Sequence, residues 1–258
     1  MININNIKLC IVFDNYSFQQ KSKTHLMTLW GFSCYIETPE TTLLFDTGSN
    51  GRVLLENMKH LNKDINKIKT LFLSHHHWDH IGGLDSIIEL NPDLDIIAPS
   101  SLSKLYIKDL QSMVKDVQVI DQKSVPICDS MYSTGIMGDD VEEQSLIIDT
   151  SEGLIIITGC AHSGIVEIAQ QSQTLFKKKI LLLMGGFHLM DAEDEQINQV
   201  ISQLKKMDIT YVFPTHCTGD RAKELFKHAY HSYYIEGGLG RVIQGDRDLT
   251  DQSKKDKV

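Results

Sequence analysis

Residues 71–83 constrain this chain more than any other stretch. The apolar run Leu71-Phe72-Leu73 passes through Ser74 into His75-His76-His77-Trp78-Asp79-His80 and then Ile81-Gly82-Gly83. Four histidines and an aspartate thus fall within six residues. Folding alone does not ask for this, because crowded imidazoles compete for hydrogen-bond partners and repel one another once protonated. A divalent cation reverses the balance, since neutral imidazole nitrogen and carboxylate oxygen are the donors that zinc and its neighbours prefer. The spacing sorts those donors. His75 and His77 are two apart, so extended backbone points them to one side and His76 to the other. Asp79 and His80 follow as a second pair once the chain turns. Two pairs suggest two metals. A histidine-rich tag would sit at a terminus, not between an apolar strand and Ile81-Gly82-Gly83-Leu84.

A site of this kind needs a substantial body to hold it. At 258 residues, 41% hydrophobic and 23% charged, the chain reads as one globular α/β domain over 1–258, with a polar tail from about 246. The net charge is −9, and the only basic runs are Lys177-Lys178-Lys179 and the tail around Lys254–Lys257. We therefore expect no nucleic-acid or membrane partner, but a small-molecule substrate, with a phosphorylated one as an option. No apolar run reaches membrane-spanning length, and the N-terminus lacks the pattern of a signal peptide. A cytoplasmic location is the expectation. The five cysteines, Cys10, Cys34, Cys128, Cys160 and Cys217, are scattered without a CxxC, which suggests neither a disulfide framework nor a thiolate zinc knuckle.

Strands are expected over 7–13, 31–37, 41–45 and 68–73, with a hairpin joining the second and third. Helices are expected over 50–61, 84–90 and 100–113. Short strands at 95–98, 117–120 and 130–134 and a hairpin of 144–149 with 153–158 follow. The polar stretch 14–28 reads as a loop reaching towards the site, and 100–138 as a pocket wall. The second half alternates: strand 153–158, helix 164–175, strand 180–184, helix 194–207, strand 210–213, helix from 219. Three of its strand-to-helix junctions carry a histidine beside glycine or proline: His162 in Gly159-Cys160-Ala161-His162, His188 in Gly185-Gly186-Phe187-His188, and His216 in Pro214-Thr215-His216. Rigid strand ends are where ligands can be aimed. Asp46 occupies the same position after strand 41–45, and suits a carboxylate that orients a ligand histidine from behind. Cys160 and Cys217 lie within two residues of the expected ligands. Cys160 reads as a side chain behind the metals or a thiolate ligand, Cys217 as a space-filling one. His25, His60, His228 and His231 fit no such junction.

These residues resemble a known family. His75-His76-His77-Trp78-Asp79-His80 is similar to the HxHxDH signature of the metallo-β-lactamase fold superfamily; Leu44-Phe45-Asp46-Thr47-Gly48 resembles its first motif and Pro214-Thr215-His216 its last. The resemblance implies a four-layer αββα sandwich with two divalent ions, zinc first, manganese or iron as alternatives. His75, His77 and His162 would hold one ion; Asp79, His80 and His216 the other. Asp46 and Cys160 would stand behind them. Asp79 would double as proton acceptor, and His188 would face the substrate as acid or charge stabiliser. Gly159–Val166, Gly185–Leu189 and Pro214–Gly219 further resemble the 7,8-dihydropterin-6-yl-methyl-4-(β-D-ribofuranosyl)aminobenzene 5′-phosphate synthase-like subgroup, whose name implies a transferase that releases diphosphate. The chain departs from the superfamily at two points. Asp139–Gln144 contains no histidine where a third motif would supply one. Gly159-Cys160-Ala161-His162 stands where a bridging aspartate is usual. The expected function is a metal-dependent hydrolase attacking an ester or phosphoester-type bond, with the pterin-related transferase as alternative. A diiron redox protein is a weaker third, because the diiron pattern has glutamate where this chain has His77. The motif speaks to fold far more than to substrate.

Overall fold

The computed structural model describes residues 1–18, 25–128 and 130–249. The first sheet begins with β1 (Lys8–Asp14), β2 (Phe32–Glu37) and β3 (Thr42–Phe45), an antiparallel meander. It continues as parallel strands β4 (Thr70–Phe72), β5 (Asp95–Pro99) and β6 (Asp116–Ile120). Helices α1 (Gly51–His60), α2 (Trp78–Ile81), α3 (Leu84–Leu90) and α4 (Lys104–Met113) belong to this half. The second sheet opens with antiparallel β7 (Val125–Cys128), β8 (Met131–Ser133), β9 (Leu146–Thr150) and β10 (Gly153–Thr158). Parallel β11 (Ile180–Gly186) and β12 (Tyr211–Thr215) then follow, separated by α5 (Ile165–Phe176) and α6 (Asp194–Lys206). After α7 (Asp220–Tyr230) the chain crosses back to the first sheet as β13 (Val242–Gln244), antiparallel to β1, and ends its described part in α8 (Gly245–Asp248). The sheet orders are β13-β1-β2-β3-β4-β5-β6 and β12-β11-β10-β9-β8-β7.

The strands alternate in the two-residue period, yet nearly every position is buried. Leu9 and Ile11 of β1 and Ile155 and Ile157 of β10 enter one core between the sheets. Cys10 and Val12 face outward to Leu54 and Met58 of α1 and Ile87 of α3. Leu154 and Ile156 pack against Ile168 of α5 and Ile201 of α6. Buried on both faces, these strands need continuous apolar runs, and that is how they read. The result is a four-layer αββα sandwich.

Four elements differ from the sequence expectation. Helix α4 begins at Lys104 rather than at residue 100, because β5 runs on to Pro99 and Ser103 caps the helix by accepting from Tyr106 N at 3.1 Å. The strand β7 and the four-residue α2 are too short for a periodicity to register. The segment from 246, expected as a polar tail, carries α8 as far as Asp248, while residues 250–258 lie outside the described part. Among the described residues no helix is long and apolar enough to cross a membrane.

Candidate metal centre

The strand ends do the positioning. β4 delivers the chain into Ser74, whose N–H and hydroxyl both donate to the Asp46 carboxylate at 2.7 Å. Asp46 sits at the end of β3 in left-handed backbone, φ 53°. Its Oδ2 also accepts from His80 Nδ1 at 2.7 Å. One buried carboxylate therefore holds both ends of the histidine loop. Thr47 Oγ1 donates to the carbonyl of His80 at 2.9 Å and accepts from Gly83 N–H at 3.1 Å. Gly83 must be small, because a Cβ there would lie 2.5 Å from the Thr47 carbonyl. His75 and His77 turn inward and touch, Nε2 to Nδ1 at 3.2 Å, while His76 is exposed.

The second sheet supplies the remaining donors. His162, after β10, brings its ring centroid to 4.9 Å from both His75 and His77. His216, after β12, lies 5.0 Å from His80, with its Nε2 3.3 Å from Asp79 Oδ2. The donor atoms fall into two sets. His75, His77 and His162 form one; Asp79, His80, Cys160 and His216 form the other. Within each set all donors lie within 4.8 Å of one another. The structure thus brings the two expected triads together and, of the two readings of Cys160, fits the ligand one. The Cys160 sulfur stands 3.2 Å from His80 Nε2, inside the donor ring. His188, at φ 52°, is exposed, with its ring 4.3 Å from that of His162.

The chemistry of these donors fits divalent metals. His162 Nε2 is buried without a hydrogen-bond partner, a condition that costs about 1–3 kcal/mol unless something else satisfies it, and His216 Nε2 faces only the Asp79 carboxylate, at 3.3 Å. Burial, reinforced by His80, His162 and His77, holds the His75 pKa well below the ordinary value. Burial and the neighbouring His188 and His77 bring His162 down to about 3. Both rings are therefore neutral near pH 7 with lone pairs available. His80 goes the other way. Burial opposes its charge, but Asp46 overrides this and lifts it to about 8. Asp79 resists burial through His216 and His80 and stays well below the usual carboxylate range.

Three residues of the site were not foreseen. Glu143, 1% exposed, accepts from the backbone N–H groups of Cys160, Ala161 and His162 at 2.8, 3.0 and 2.9 Å. It lies in the segment that lacks the third-motif histidine, and it grips the loop that carries His162. Asn15 Oδ1 lies 2.9 Å from His216 Nδ1, fixing that ring from behind. Trp30 packs its ring 4.9 Å from His216 and is partly exposed. Asn15 belongs to the polar loop expected to reach the site; residues 19–24 of that loop lie outside the described part. No sequence signal marked Glu143 among its acidic neighbours. The other expected wall, 100–138, borders a separate cavity of about 620 Å³ that none of the site histidines lines. His25 and His60 stack on each other away from the centre.

Residues 31–166 match the family model of the metallo-β-lactamase superfamily. The chain belongs to that superfamily. Among curated relatives it is similar to the 7,8-dihydropterin-6-methyl-4-(β-D-ribofuranosyl)-aminobenzene-5′-phosphate synthase of Methanocaldococcus jannaschii, at 27% identity over 93% of this chain and 97% of that protein. Among solved structures, Tm1679, described as a metal-dependent hydrolase of the β-lactamase superfamily, aligns with a TM-score of 0.74 and 24% identity, covering 92% of this chain and 98% of that one. The metallo-β-lactamase fold protein YhfI from Bacillus subtilis aligns at 0.67 and 15% identity, over 92% and 99% of the two chains. These superfamily structures establish the fold.

Proposed function

We propose that the protein is a dinuclear metal-dependent hydrolase acting on an ester or phosphoester-type bond of a small molecule. The observation that carries this reading is the pair of donor sets, joined where the His75 and His80 rings lie 4.2 Å apart, with the buried His162 Nε2 left without a hydrogen-bond partner. His75, His77 and His162 would hold one ion; Asp79, His80, Cys160 and His216 the other. Two divalent ions there would supply Lewis acidity, making water a nucleophile near neutral pH and offsetting negative charge on a phosphate or carboxyl group. The donor chemistry of imidazole, thiolate and carboxylate favours zinc over magnesium or calcium.

The protein's own residues supply the rest. Asp46 and Asn15 orient His80 and His216 through their second ring nitrogens. Asp79, kept ionised, keeps a carboxylate oxygen available as a ligand. His188 stands at the exposed edge, and hydrogen bonding to Cys217 raises its pKa, so it can carry a proton to a departing oxygen. Trp30 walls the His216 side and limits water there.

The similarity along nearly the full length to a pterin-related synthase supports a second reading, in which ions held by the same donors would bind the diphosphate of a pterin substrate and an amine would replace water as nucleophile. One screen separates the two. Zinc- or manganese-loaded protein is offered phosphodiesters, esters, lactones, thioesters and a pterin-methyl diphosphate, with and without an aminobenzene ribosyl phosphate. Hydrolysis without the amine, abolished in His77→Ala, supports the first reading. Diphosphate release only when the amine is present, with no hydrolysis of any substrate, overturns it in favour of the second.

A further inference from the structure

The site has a sulfur-rich margin of which the two-ion assignment uses only Cys160. Cys160 Sγ, Cys217 Sγ and a ring nitrogen of His188 lie within 4.8 Å of one another. They come from the ends of three adjacent strands, β10, β11 and β12, and the junctions are tied together. Gly186 N–H donates to the Gly159 carbonyl at 3.1 Å, and Phe187 N–H donates to Thr218 Oγ1 at 3.0 Å. Gly186 has no side chain for a steric reason. A Cβ there would lie 2.6 Å from Cys217 Sγ and 3.2 Å from Cys160 Cα. The missing side chain is what lets the two sulfurs approach. Both cysteines are buried, at 4% and 5% exposure, whereas His188 is exposed and opens the trio to solvent.

Two sulfurs and one imidazole at this separation are the donors of a tetrahedral soft-metal site with one open position. Zn–S bonds of about 2.3 Å place tetrahedral sulfurs about 3.8 Å apart, within the spacing available here. We propose that Cys160, His188 and Cys217 form a third metal site, selective for thiophilic ions such as zinc or cadmium, with the Cys160 thiolate bridging to the neighbouring ion. The proposal rests on the dinuclear reading, since Cys160 belongs to both sets. Binding displaces the protons shared by the trio into solvent and ties up His188, the residue facing the substrate. Surplus thiophilic metal therefore inhibits the enzyme, while hard ions such as manganese do not.

The experiment is a cadmium titration of the full-length protein in a non-thiol reductant, read by bound metal per chain after dialysis and by thiolate-to-cadmium ultraviolet absorbance. Three ions are expected for the unsubstituted protein and two for Cys217→Ala and His188→Ala. The thiolate absorbance should fall by about half in Cys217→Ala, which loses one of two sulfurs, and should largely persist in His188→Ala. Two ions in the unsubstituted protein, or three in either variant, overturn the third site. Fewer than two in the unsubstituted protein overturn the dinuclear centre as well. If circular dichroism shows that Cys217→Ala does not fold, His188→Ala, altered at an exposed position, decides alone.

Discussion

Replacing Asp46 with asparagine tests the electrostatics of the centre without changing its shape. Asp46 accepts from Ser74 N–H, Ser74 Oγ and His80 Nδ1, all at 2.7 Å. In the metal-free protein its charge lifts the His80 pKa from 6.5 to about 8, a preference for the protonated ring worth about 2 kcal/mol. Both side chains are fully buried, so solvent screening does not discount that figure. The folded-state pKa exceeds the unfolded one. The contribution is therefore complete below pH 6.5 and disappears as pH rises through 8. Asp46→Asn should cost about 2 kcal/mol more stability at about pH 6 than at about pH 9.5, on top of a pH-independent loss of hydrogen bonding. Urea unfolding of metal-stripped protein and variant at both pH values measures the difference. Equal penalties at the two would refute the claim that Asp46 charges His80. The zinc-loaded variant should also bind metal about 10- to 100-fold more weakly, as removal of an outer hydrogen-bond partner typically does.

His162→Ala should lose one of the two expected metal equivalents with little change in thermal midpoint, since the ring touches other rings rather than the apolar core; elemental analysis after dialysis would show it. Glu143→Gln presents an amide where three backbone N–H groups need acceptors, so it should cost about 1–3 kcal/mol and lower metal occupancy at the His75–His77–His162 set, both read in one calorimetric titration. Gly83→Ala should destabilise by about 1–3 kcal/mol, because its Cβ meets the Thr47 carbonyl at 2.5 Å and only backbone can yield; an unchanged melting temperature would count against that packing. Acidification should release metal from intact protein, because protons compete for the ring nitrogens of His75, His77 and His162; dialysis at stepped pH follows the loss.

Much of this was legible in the residues. Runs such as Leu43-Leu44-Phe45 and Ile155-Ile156-Ile157 declare buried strands, and the histidines at 162, 188 and 216 stand out because each follows such a run. The grouping of His75 and His77 apart from Asp79 and His80 came from backbone period alone, and the structure brings the first pair to His162 and the second to His216. What stayed hidden depends on approach across the two sheets. Whether Cys160 stands in the ring or behind it turns on the twist of a four-residue junction held by Glu143. Nothing in Asp139-Asp140-Val141-Glu142-Glu143 says which carboxylate goes inward. Asn15 and Trp30 act from a loop without periodicity.

Each donor set draws on both sheets: His75 and His77 meet His162, while Asp79 and His80 meet Cys160 and His216. The partners lie 80 or more residues apart in the chain, and the later strands pair in parallel, which forms only after long loops have closed. No fragment emerging early in synthesis contains a complete set. Metal therefore cannot template folding here, as it does in small zinc modules where four nearby ligands nucleate the structure. On the dinuclear reading the protein would close first and take up metal afterwards, and the ion bound would reflect which ions are free around it at that moment as well as its own donors. Expression in media of different metal content should change the metal found in the purified protein while leaving its fold the same.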